Sequence, residues 1–284
     1  MSKSAISWTD YTFNPWWGCT KCMPECDHCY AESWASRMYP GHNLWGPTAG
    51  FRFFRDKHWD EPFRWERLAI KNNRRYKVFC GSMCDIFQPR NELDDARARL
   101  WFTIRQTPHL DWLLLTKRPL SVPYLIPDGW LDDHWPPNAW LGCTAGCQDS
   151  ANKIVPLLAS FKDHAKIPYV FLSAEPLIGP IDLARAGAIE HDAIGGENGS
   201  PAVNFAYGTI DWVIAGGESG RDARPMNLSW LESMRTECEF AGISFFVKQT
   251  GNVLAAQLGL SGKGDRMDEW PESIRIQQFP DQNH

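Results

Sequence analysis

One short stretch of cysteines constrains the fold and chemistry of this chain more than any other feature. Residues Cys19 to Cys29 hold four of the nine cysteines within eleven positions. Cys22, Cys26 and Cys29 alone give the spacing C-x3-C-x2-C. Three thiolates at such spacing can bind three irons of one cubane cluster and leave the fourth iron open. An open iron can chelate S-adenosylmethionine, so the stretch predicts a [4Fe-4S] cluster with S-adenosylmethionine as cofactors.

Zinc and disulfides are the alternatives for the same cysteines. Structural zinc sites usually separate their two cysteine pairs by a dozen or more residues. Here only Met23, Pro24 and Glu25 separate Cys22 from Cys26, which is tight for one tetrahedral ion. A disulfide framework would need an oxidising compartment and usually a smaller, cysteine-dense domain.

Length and hydropathy predict a globular protein in a reducing compartment. The 284 residues suit one large domain or two small ones. Residues Met1 to Asp10 lack the apolar core of a signal peptide. The longest apolar runs, such as Trp112 to Leu115, are too short to cross a bilayer. We therefore expect no membrane association, a cytoplasmic location and reduced thiols that serve as metal ligands.

The charge balance argues against a general nucleic-acid binder but leaves one basic segment. The formal net charge is −5, yet Arg52 to Lys77 has nine basic residues against four acidic ones. Such a segment could meet phosphates, while the alternative is a solvated helix face of mixed charge. Some of the fifteen tryptophans could stack on a flat substrate, although most are expected to pack in the core or at its rim.

Short apolar runs that end in polar or glycine-rich turns and lead into helices predict βα units with a parallel sheet. The expected fold class is α/β, a barrel with about six or seven parallel strands. We predict a barrel domain over 1–257, with a cluster loop at 18–30 and a loop excursion at 186–207, and a C-terminal tail over 258–284. The expected strands are Ala5–Trp8, Lys77–Cys80, Trp112–Leu115, Trp140–Thr144, Tyr169–Leu172, Asp211–Ala215 and Ser244–Val247. The expected helices are Tyr30–Met38, Leu93–Gln106, Ala151–Phe161 and Ser229–Ala241.

Polar residues follow successive predicted strands, where parallel α/β folds carry their sites. The predicted cofactor-binding residues are Ser82, Asp85, Lys117, Thr144, Ser173, Glu175, Gly216, Gly217 and Glu218. Asp85 and Ser82 are assigned to the amino group of the methionine moiety. Lys117 or its neighbour Arg118 is assigned to the carboxylate or to a substrate phosphate, because both offer charged donors.

Each of these assignments has a structural alternative. Gly216 and Gly217 could form a plain tight turn after a strand. Glu175 could be a buried carboxylate paired with Lys117, Arg118 or Lys248. One of Lys117 and Arg118 could simply face solvent, because neighbouring residues that leave a strand point opposite ways. Among the remaining cysteines, Cys84 and Cys147 could donate a hydrogen atom to a substrate radical or bind a second cluster.

The motifs together resemble a phage- and prophage-associated family of radical-SAM-like proteins, catalogued as a domain of unknown function. The matching motifs are Phe13-Asn14-Pro15, Gly18-Cys19-Thr20-Lys21, Cys26-x-x-Cys29-Tyr30-Ala31-Glu32, Leu115-Thr116-Lys117-Arg118-Pro119, Ser173-Ala174-Glu175-Pro176-Leu177, Gly216-Gly217-Glu218-Ser219-Gly220 with Arg224-Pro225-Met226, and Phe245-Phe246-Val247-Lys248-Gln249. The resemblance implies a partial barrel and a cluster that binds S-adenosylmethionine.

The resemblance also implies a third metal ligand that differs from the one implied by the spacing. It matches Cys19, Cys26 and Cys29, with an aliphatic residue where this chain has Cys22. Spacing favours Cys22 and resemblance favours Cys19, and we adopt Cys19, Cys26 and Cys29 as the predicted metal ligands.

These features predict a radical S-adenosylmethionine enzyme that abstracts hydrogen from a substrate. The expected electron donor is a protein such as flavodoxin or ferredoxin. The phage context suggests a nucleobase, nucleotide or nucleic acid as substrate. The alternative is a zinc-stabilised nucleic-acid-binding or scaffold protein without catalysis.

Overall fold

The computed structural model describes residues 4–194 and 203–280, which divide into two compact units. Unit 1 comprises Met1–Thr144 and Phe161–Tyr169, and unit 2 comprises Ala145–Ser160 and Val170–His284. The division falls within one helix, α5, which spans Gln148–Ala165.

Unit 1 is built on four parallel strands in the order β1-β4-β5-β6. Their register places Tyr11 opposite Val78, Val78 opposite Trp112, and Leu113 opposite Trp140. A separate antiparallel pair joins β2 to β3. The strands are β1 (Tyr11–Phe13), β2 (Trp16–Trp17), β3 (Arg52–Phe53), β4 (Tyr76–Cys80), β5 (Leu110–Thr116) and β6 (Ala139–Thr144). The helices are α1 (Tyr30–Met38), α2 (Asp56–Asn72), α3 (Asp94–Arg105) and α4 (Val122–Leu125).

Burial explains why the central strands of unit 1 are nearly continuous apolar runs. Every residue of β6 is buried, and in β5 only Leu115 is partly exposed. Parallel strands covered on both faces have no solvent side, so their sequences do not alternate. The side chain of Asn138 closes the turn before β6 by donating to the carbonyls of Ile104, Thr107 and Leu110 at 2.9–3.1 Å.

Unit 2 contains three parallel strands in the order β7-β10-β11. Val213 of the central strand lies opposite Leu172 on one side and Phe245 on the other. Its strands are β7 (Val170–Ala174), β8 (Ile189–Ile194), β9 (Val203–Gly208), β10 (Trp212–Gly216) and β11 (Ser244–Gln249). Its helices, besides the start of α5, are α6 (Leu228–Ala241) and α7 (Gly251–Leu258).

The predicted fold class is confirmed: the chain is α/β, with seven parallel strands of the kind found in a partial (β/α) barrel. Six of the seven predicted strands and all four predicted helices have counterparts within a few residues. The division into a barrel over 1–257 and a tail over 258–284 stays a prediction. Within unit 2, the tail residues Ile276 and Gln278 bond to Val247 and Phe245 of β11 through their backbones.

The predicted first strand at Ala5–Trp8 is wrong. The structure forms turns there, and the strand that pairs with β4 is Tyr11–Phe13. Trp8 is buried, but it packs its ring on Phe79 at 4.6 Å instead of joining the sheet. The prediction therefore assigned a buried apolar residue to a strand although it lies outside the sheet.

The loop excursion predicted over 186–207 is also wrong in part. Residues Ile189–Ile194 and Val203–Gly208 pair as antiparallel strands, with Ile189 opposite Gly208 and Glu190 opposite Tyr207. Residues 195–202 lie outside the described part of the chain. The small and polar residues of this stretch indicated a loop, but the backbone groups of the two segments satisfy one another.

The basic segment from Arg52 to Lys77 forms β3, α2 and the start of β4, which fits its interpretation as a helix of mixed charge. Arg74 and Arg75 pair with Asp10 and Asp111 at 2.8 and 2.7 Å. The Arg52 guanidinium lies 4.1–4.9 Å from the ring centres of Trp17, Tyr39 and Phe54. These arginines are therefore engaged within unit 1.

Among the described residues, no helix is long and apolar enough to cross a membrane.

Candidate functional site

The cysteine loop of unit 1 begins at a backbone position that only glycine fits. Gly18 has φ +125°, and a Cβ there would lie 2.8 Å from the Phe51 ring and 2.9 Å from the Leu44 carbonyl oxygen. Its N–H donates to the Met83 carbonyl at 3.1 Å, and the N–H of Cys19 donates to Leu44 at 3.1 Å. The start of the loop is therefore fixed beside the residues that follow β4.

The four cysteines of the loop differ in exposure. Cys26 is buried, Cys19 and Cys29 are half-buried, and Cys22 is exposed. All nine cysteines of the chain are free thiols. Cys29 immediately precedes α1, whose first residue is Tyr30.

The surroundings of Cys26 favour its thiolate, the form that binds metals. A hydrogen bond from the Cys22 thiol lowers the pKa of Cys26 to about 6, and the nearby Lys117 ammonium acts in the same direction. The same bond raises the pKa of Cys22. Burial raises the pKa of Cys19 to about 12; the Asp85 carboxylate adds to this shift and the Arg118 guanidinium opposes it. Within the loop, the thiolate is therefore favoured at Cys26 and disfavoured at Cys19 and Cys22.

Both cations that follow β5 act at this loop, so the alternative in which one faces solvent does not hold. The Lys117 ammonium donates to the Thr144 hydroxyl at 3.2 Å and, as noted above, favours the charged form of Cys26. The Arg118 side chain donates to the Thr20 carbonyl oxygen, and only 17% of the surface of this side chain is exposed. Two positive charges beside clustered thiols stabilise their negative form.

The Asp85 carboxylate is already occupied by hydrogen bonds within unit 1. It accepts from the Thr116 hydroxyl at 2.8 Å, from the Lys117 N–H at 2.9 Å and from the Phe87 N–H at 2.9 Å. The Arg118 Nε lies 4.0 Å from the same carboxylate. Asp85 therefore ties the residues after β4 to the residues after β5. Its predicted contact with a methionine amino group stays a prediction.

Ser82, predicted beside Asp85, bonds to a residue that the sequence analysis did not single out. Its hydroxyl accepts from the Asn14 side-chain amide at 2.9 Å, and the Asn14 side-chain oxygen accepts from the Met83 N–H at 2.7 Å. A second unexpected contact is Gln88, whose side chain bonds to Thr20 at 3.1–3.2 Å. Asn14 belongs to the motif Phe13-Asn14-Pro15, and this membership could have identified it as a candidate site residue.

The donor set of the loop fits an iron–sulfur cluster. Within residues 4–194 and 203–280, no three His, Cys, Asp or Glu side chains are arranged to hold one metal ion. A cubane cluster instead takes one thiolate on each of three irons. The loop supplies four soft thiol donors, those of Cys19, Cys22, Cys26 and Cys29. Compensating positive charge comes from Lys117 and Arg118.

The predicted residues of unit 2 lie at the ends of their strands. The Glu175 carboxylate pairs with the Lys248 ammonium at 3.1 Å. A Cβ added to Gly216 would lie only 2.7 Å from the Glu175 Oε1 atom. A Cβ on Gly217 would collide with the Thr250 carbonyl. Both glycines therefore make room for neighbouring polar groups. Ser173, within β7, is buried.

Glu218 has a partner that the sequence analysis did not assign. Its carboxylate accepts from the Arg224 backbone N–H at 2.7 Å and from the guanidinium at 2.7 and 3.1 Å. The Gln249 amide donates to the Gly217 carbonyl at 2.9 Å, which holds the glycine turn against β11. Glu218 and Arg224 occur together in the motif over 216–226, and that co-occurrence was the signal for their contact.

Two further cysteines were candidates for radical chemistry. Cys84 is buried, and burial raises the pKa of its thiol well above the usual value. Cys147 is half-buried, with its sulfur 3.5 Å from the Ser150 hydroxyl in unit 2. Their proposed roles as hydrogen donors or cluster ligands stay predictions.

Comparison with known proteins supplies a family. Residues 3–278 match the model of a family described as "Protein of unknown function (DUF5131)". The chain belongs to this family. A solved structure of a double mutant of spore photoproduct lyase, with bound AdoMet and dinucleoside spore photoproduct, is similar with a TM-score of 0.41 and 12% identity. The similarity covers 62% of this chain and 48% of that one, so the match spans about half of that protein's length. No curated protein matches the sequence.

The hydrogen bonds of Asp85 lead to a prediction about stability. Asp85→Ala leaves the Lys117 and Phe87 N–H groups and the Thr116 hydroxyl without their acceptor. Each unsatisfied buried group costs about 1–3 kcal/mol, so we expect a loss of about 3 kcal/mol or more. Asp85→Asn, which keeps one acceptor oxygen, should lose less. Urea unfolding midpoints measure both, with exposed Asp128→Ala as control. Equal midpoints for Asp85→Ala and the control would contradict this role.

Proposed function

We propose that this protein is a radical S-adenosylmethionine enzyme whose cysteine loop holds a [4Fe-4S] cluster. The observation that carries the proposal is the arrangement of the loop, in which four free thiols lie within eleven residues, Cys26 is buried, and the Cys22 thiol and the Lys117 ammonium both favour the Cys26 thiolate. At the core thiol of Cys238, burial acts in the opposite direction and raises the pKa. A site that favours thiolate therefore suits metal binding better than packing.

Cys19, Cys26 and Cys29 would hold the cluster, with Cys22 as the competing ligand for Cys19. When bound and reduced, such a cluster would supply the electron that cleaves S-adenosylmethionine to methionine and a 5′-deoxyadenosyl radical, and this radical would abstract hydrogen from a substrate. Lys117 and Arg118 offset the negative charge of the thiolates. Asp85 fixes the backbone from which both cations extend.

Polar residues at strand ends remain our candidates for binding S-adenosylmethionine, taken for each unit by itself. In unit 1 these are Ser82, Asp85, Lys117 and Thr144. In unit 2 they are Ser173, Glu175, Gly216, Gly217 and Glu218. Because Glu218 is held by Arg224 and Glu175 by Lys248, both carboxylates are oriented before a ligand arrives. Preoriented groups lose less entropy when they bind.

The partners follow from the chemistry. Reductive cleavage needs an electron donor such as flavodoxin or ferredoxin. We further propose a nucleobase or nucleotide as the substrate, in a phage context and in the cytoplasm. The family's printed description names no activity. The substrate can be sought by comparing nucleosides from cells with and without the protein.

The first test of this function is metal content. Anaerobically reconstituted protein should contain about four irons and four sulfides. Cys26→Ala and Cys29→Ala should each lose the cluster because each removes the ligand of one iron. Iron analysis and electron paramagnetic resonance after reduction measure this.

Cys238→Ala is the matched control, because Cys238 is buried in α6 of unit 2. It should retain full iron. Full iron in Cys26→Ala would contradict the cluster assignment. Zinc bound in place of iron, in a colourless protein, would support the scaffold alternative.

A second test separates Cys19 from Cys22. Cys19 is half-buried beside Asp85 and Arg118, whereas Cys22 is exposed and its sulfur also lies 3.6 Å from the Lys117 carbonyl oxygen. We expect Cys19→Ala to lose the cluster and Cys22→Ala to retain it. Iron content and the paramagnetic signal of both variants decide. The opposite pattern would show that C-x3-C-x2-C is the ligand set.

A third test concerns Glu175. Loss of a charge-assisted hydrogen bond costs about 1.5–3 kcal/mol, or roughly ten- to a hundredfold in affinity. Glu175→Ala should therefore keep its iron, bind S-adenosylmethionine more weakly and form less 5′-deoxyadenosine under dithionite. Calorimetry and chromatography measure these changes.

Lys248→Ala is the matched control for Glu175, since it removes the other half of the ion pair. We expect a smaller loss of affinity for this variant than for Glu175→Ala. If Glu175→Ala binds and cleaves S-adenosylmethionine normally, Glu175 is only a structural carboxylate paired with Lys248.

A further inference from the structure

Unit 1 contains an open groove that the proposed iron site does not use. Its volume is about 720 Å³, within the range of about 300–1,000 Å³ that is typical of ligand sites. One wall is α3 and the other is the end of α4 with the residues that follow it, up to Pro127. None of the cysteines of the loop lines it. We call this the α3–α4 groove.

The base of the α3–α4 groove is fixed by buried contacts. The Trp101 indole N–H donates to the Leu125 carbonyl at 3.0 Å and so joins the two walls. The Trp101 ring packs against Trp130 with 5.2 Å between centroids. Arg97 is buried and donates to the carbonyls of Ile86 and Gln88 at 3.0 and 2.7 Å. The groove is therefore formed before any ligand binds.

Two aromatic side chains lie in the groove with most of their surface in water. Phe102 of α3 is 60% exposed and Tyr124 of α4 is 85% exposed. The large aromatic residues of this chain are mostly buried, among them Trp101 and Trp130 in the same region. Exposed aromatic faces in a concave site indicate a ligand surface, because flat rings stack on them.

The charge of the groove is positive although the chain carries a formal net charge of −5. Arg90, Arg97 and Arg105 line it against one carboxylate, Asp94. Arg97 pairs with Asp94 at 2.5 Å, and Arg90 pairs with Glu92 at 2.6 Å. Arg105 has no carboxylate partner in the described part of the chain, and its guanidinium lies 5.6 Å from the Trp130 ring centre. The groove therefore offers one uncompensated cation beside two exposed rings.

We propose that the α3–α4 groove binds single-stranded nucleic acid. Bases would stack on Phe102 and Tyr124, and a phosphate would bind Arg105. Single-strand binders combine aromatic platforms with basic side chains in this way. A free nucleotide would favour an enclosed site, whereas both rings here are open to solvent. An acidic protein would use the arginine but would not require two stacking faces.

This inference goes beyond the proposed enzyme activity and does not depend on it. The groove and the cysteine loop share no lining residue, so each can be altered alone. Variants of the groove should keep full iron, and Cys26→Ala should keep nucleic-acid binding. The two proposals can therefore fail separately.

The test uses fluorescence anisotropy with labelled thymidine and uridine oligonucleotides, each about 12 nucleotides long, the scale of known single-strand sites. The unaltered protein should bind at least one of them saturably at low salt. Phe102→Ala and Tyr124→Ala should each weaken binding by about 5- to 150-fold, as expected for loss of one stacked base. Arg105→Gln should lower the slope of log affinity against log salt by about 0.7, the share of one phosphate contact.

Two controls keep the result specific. Tyr124→Phe retains the ring and should bind like the unaltered protein. Phe240→Ala removes another exposed aromatic residue, 65% exposed on α6 of unit 2, and should also bind normally. Since Phe102 and Tyr124 are on the surface, their loss should leave the unfolding midpoint unchanged.

Four outcomes would overturn the proposal. The first is no binding of either oligonucleotide, and the second is normal binding by both Phe102→Ala and Tyr124→Ala. The third is displacement of the probe by adenosine monophosphate as effectively as by unlabelled oligonucleotide, which would indicate a small-molecule pocket. The fourth is Arg105-dependent binding of labelled polyglutamate without binding of nucleic acid, which would indicate an acidic protein partner.

Discussion

The hydrogen bonds that the Asp85 carboxylate accepts are the constraint on which the candidate site of unit 1 depends. Asp85 follows β4, and its acceptor oxygens are taken by Thr116 and Lys117 at the end of β5 and by its own neighbour Phe87. The bonds fix the backbone where Lys117 and Arg118 leave the strand. Both cations then act at the cysteine loop, so the buried carboxylate influences the thiols through these cations as well as through its own charge.

Those electrostatics set Cys26 apart from the cysteines of the core. Desolvation dominates for Cys80, Cys143 and Cys238, and it raises the pKa of each thiol. At Cys26 a hydrogen bond from Cys22 and the charge of Lys117 outweigh burial. The same residue type is therefore a small apolar side chain in one place and a metal-ligand candidate in another.

Unit 2 uses a different device at its strand ends, namely carboxylates held by cations of the same unit. Glu218 is clamped by the backbone and side chain of Arg224, and Glu175 pairs with Lys248. The glycines Gly216 and Gly217 leave the space that these polar groups and Thr250 occupy. The result is a rigid polar surface whose groups are oriented by one another.

The sequence by itself determined the fold class and most of the helices and strands. Parallel strands that are buried on both faces have nearly continuous apolar sequences, as β5 and β6 do. It also located the cysteine loop and the polar residues at the strand ends. It could not separate a buried apolar residue from a strand residue at Trp8, nor detect the pairing of β8 with β9, whose backbone bonds leave little trace in composition. Only the tertiary structure decided that Cys22 bonds to Cys26, that Glu218 pairs with Arg224, and that Phe102 and Tyr124 share a groove with Arg105. These contacts join residues whose side-chain directions depend on how helices and strands pack. Local patterns of residue type do not reveal that packing.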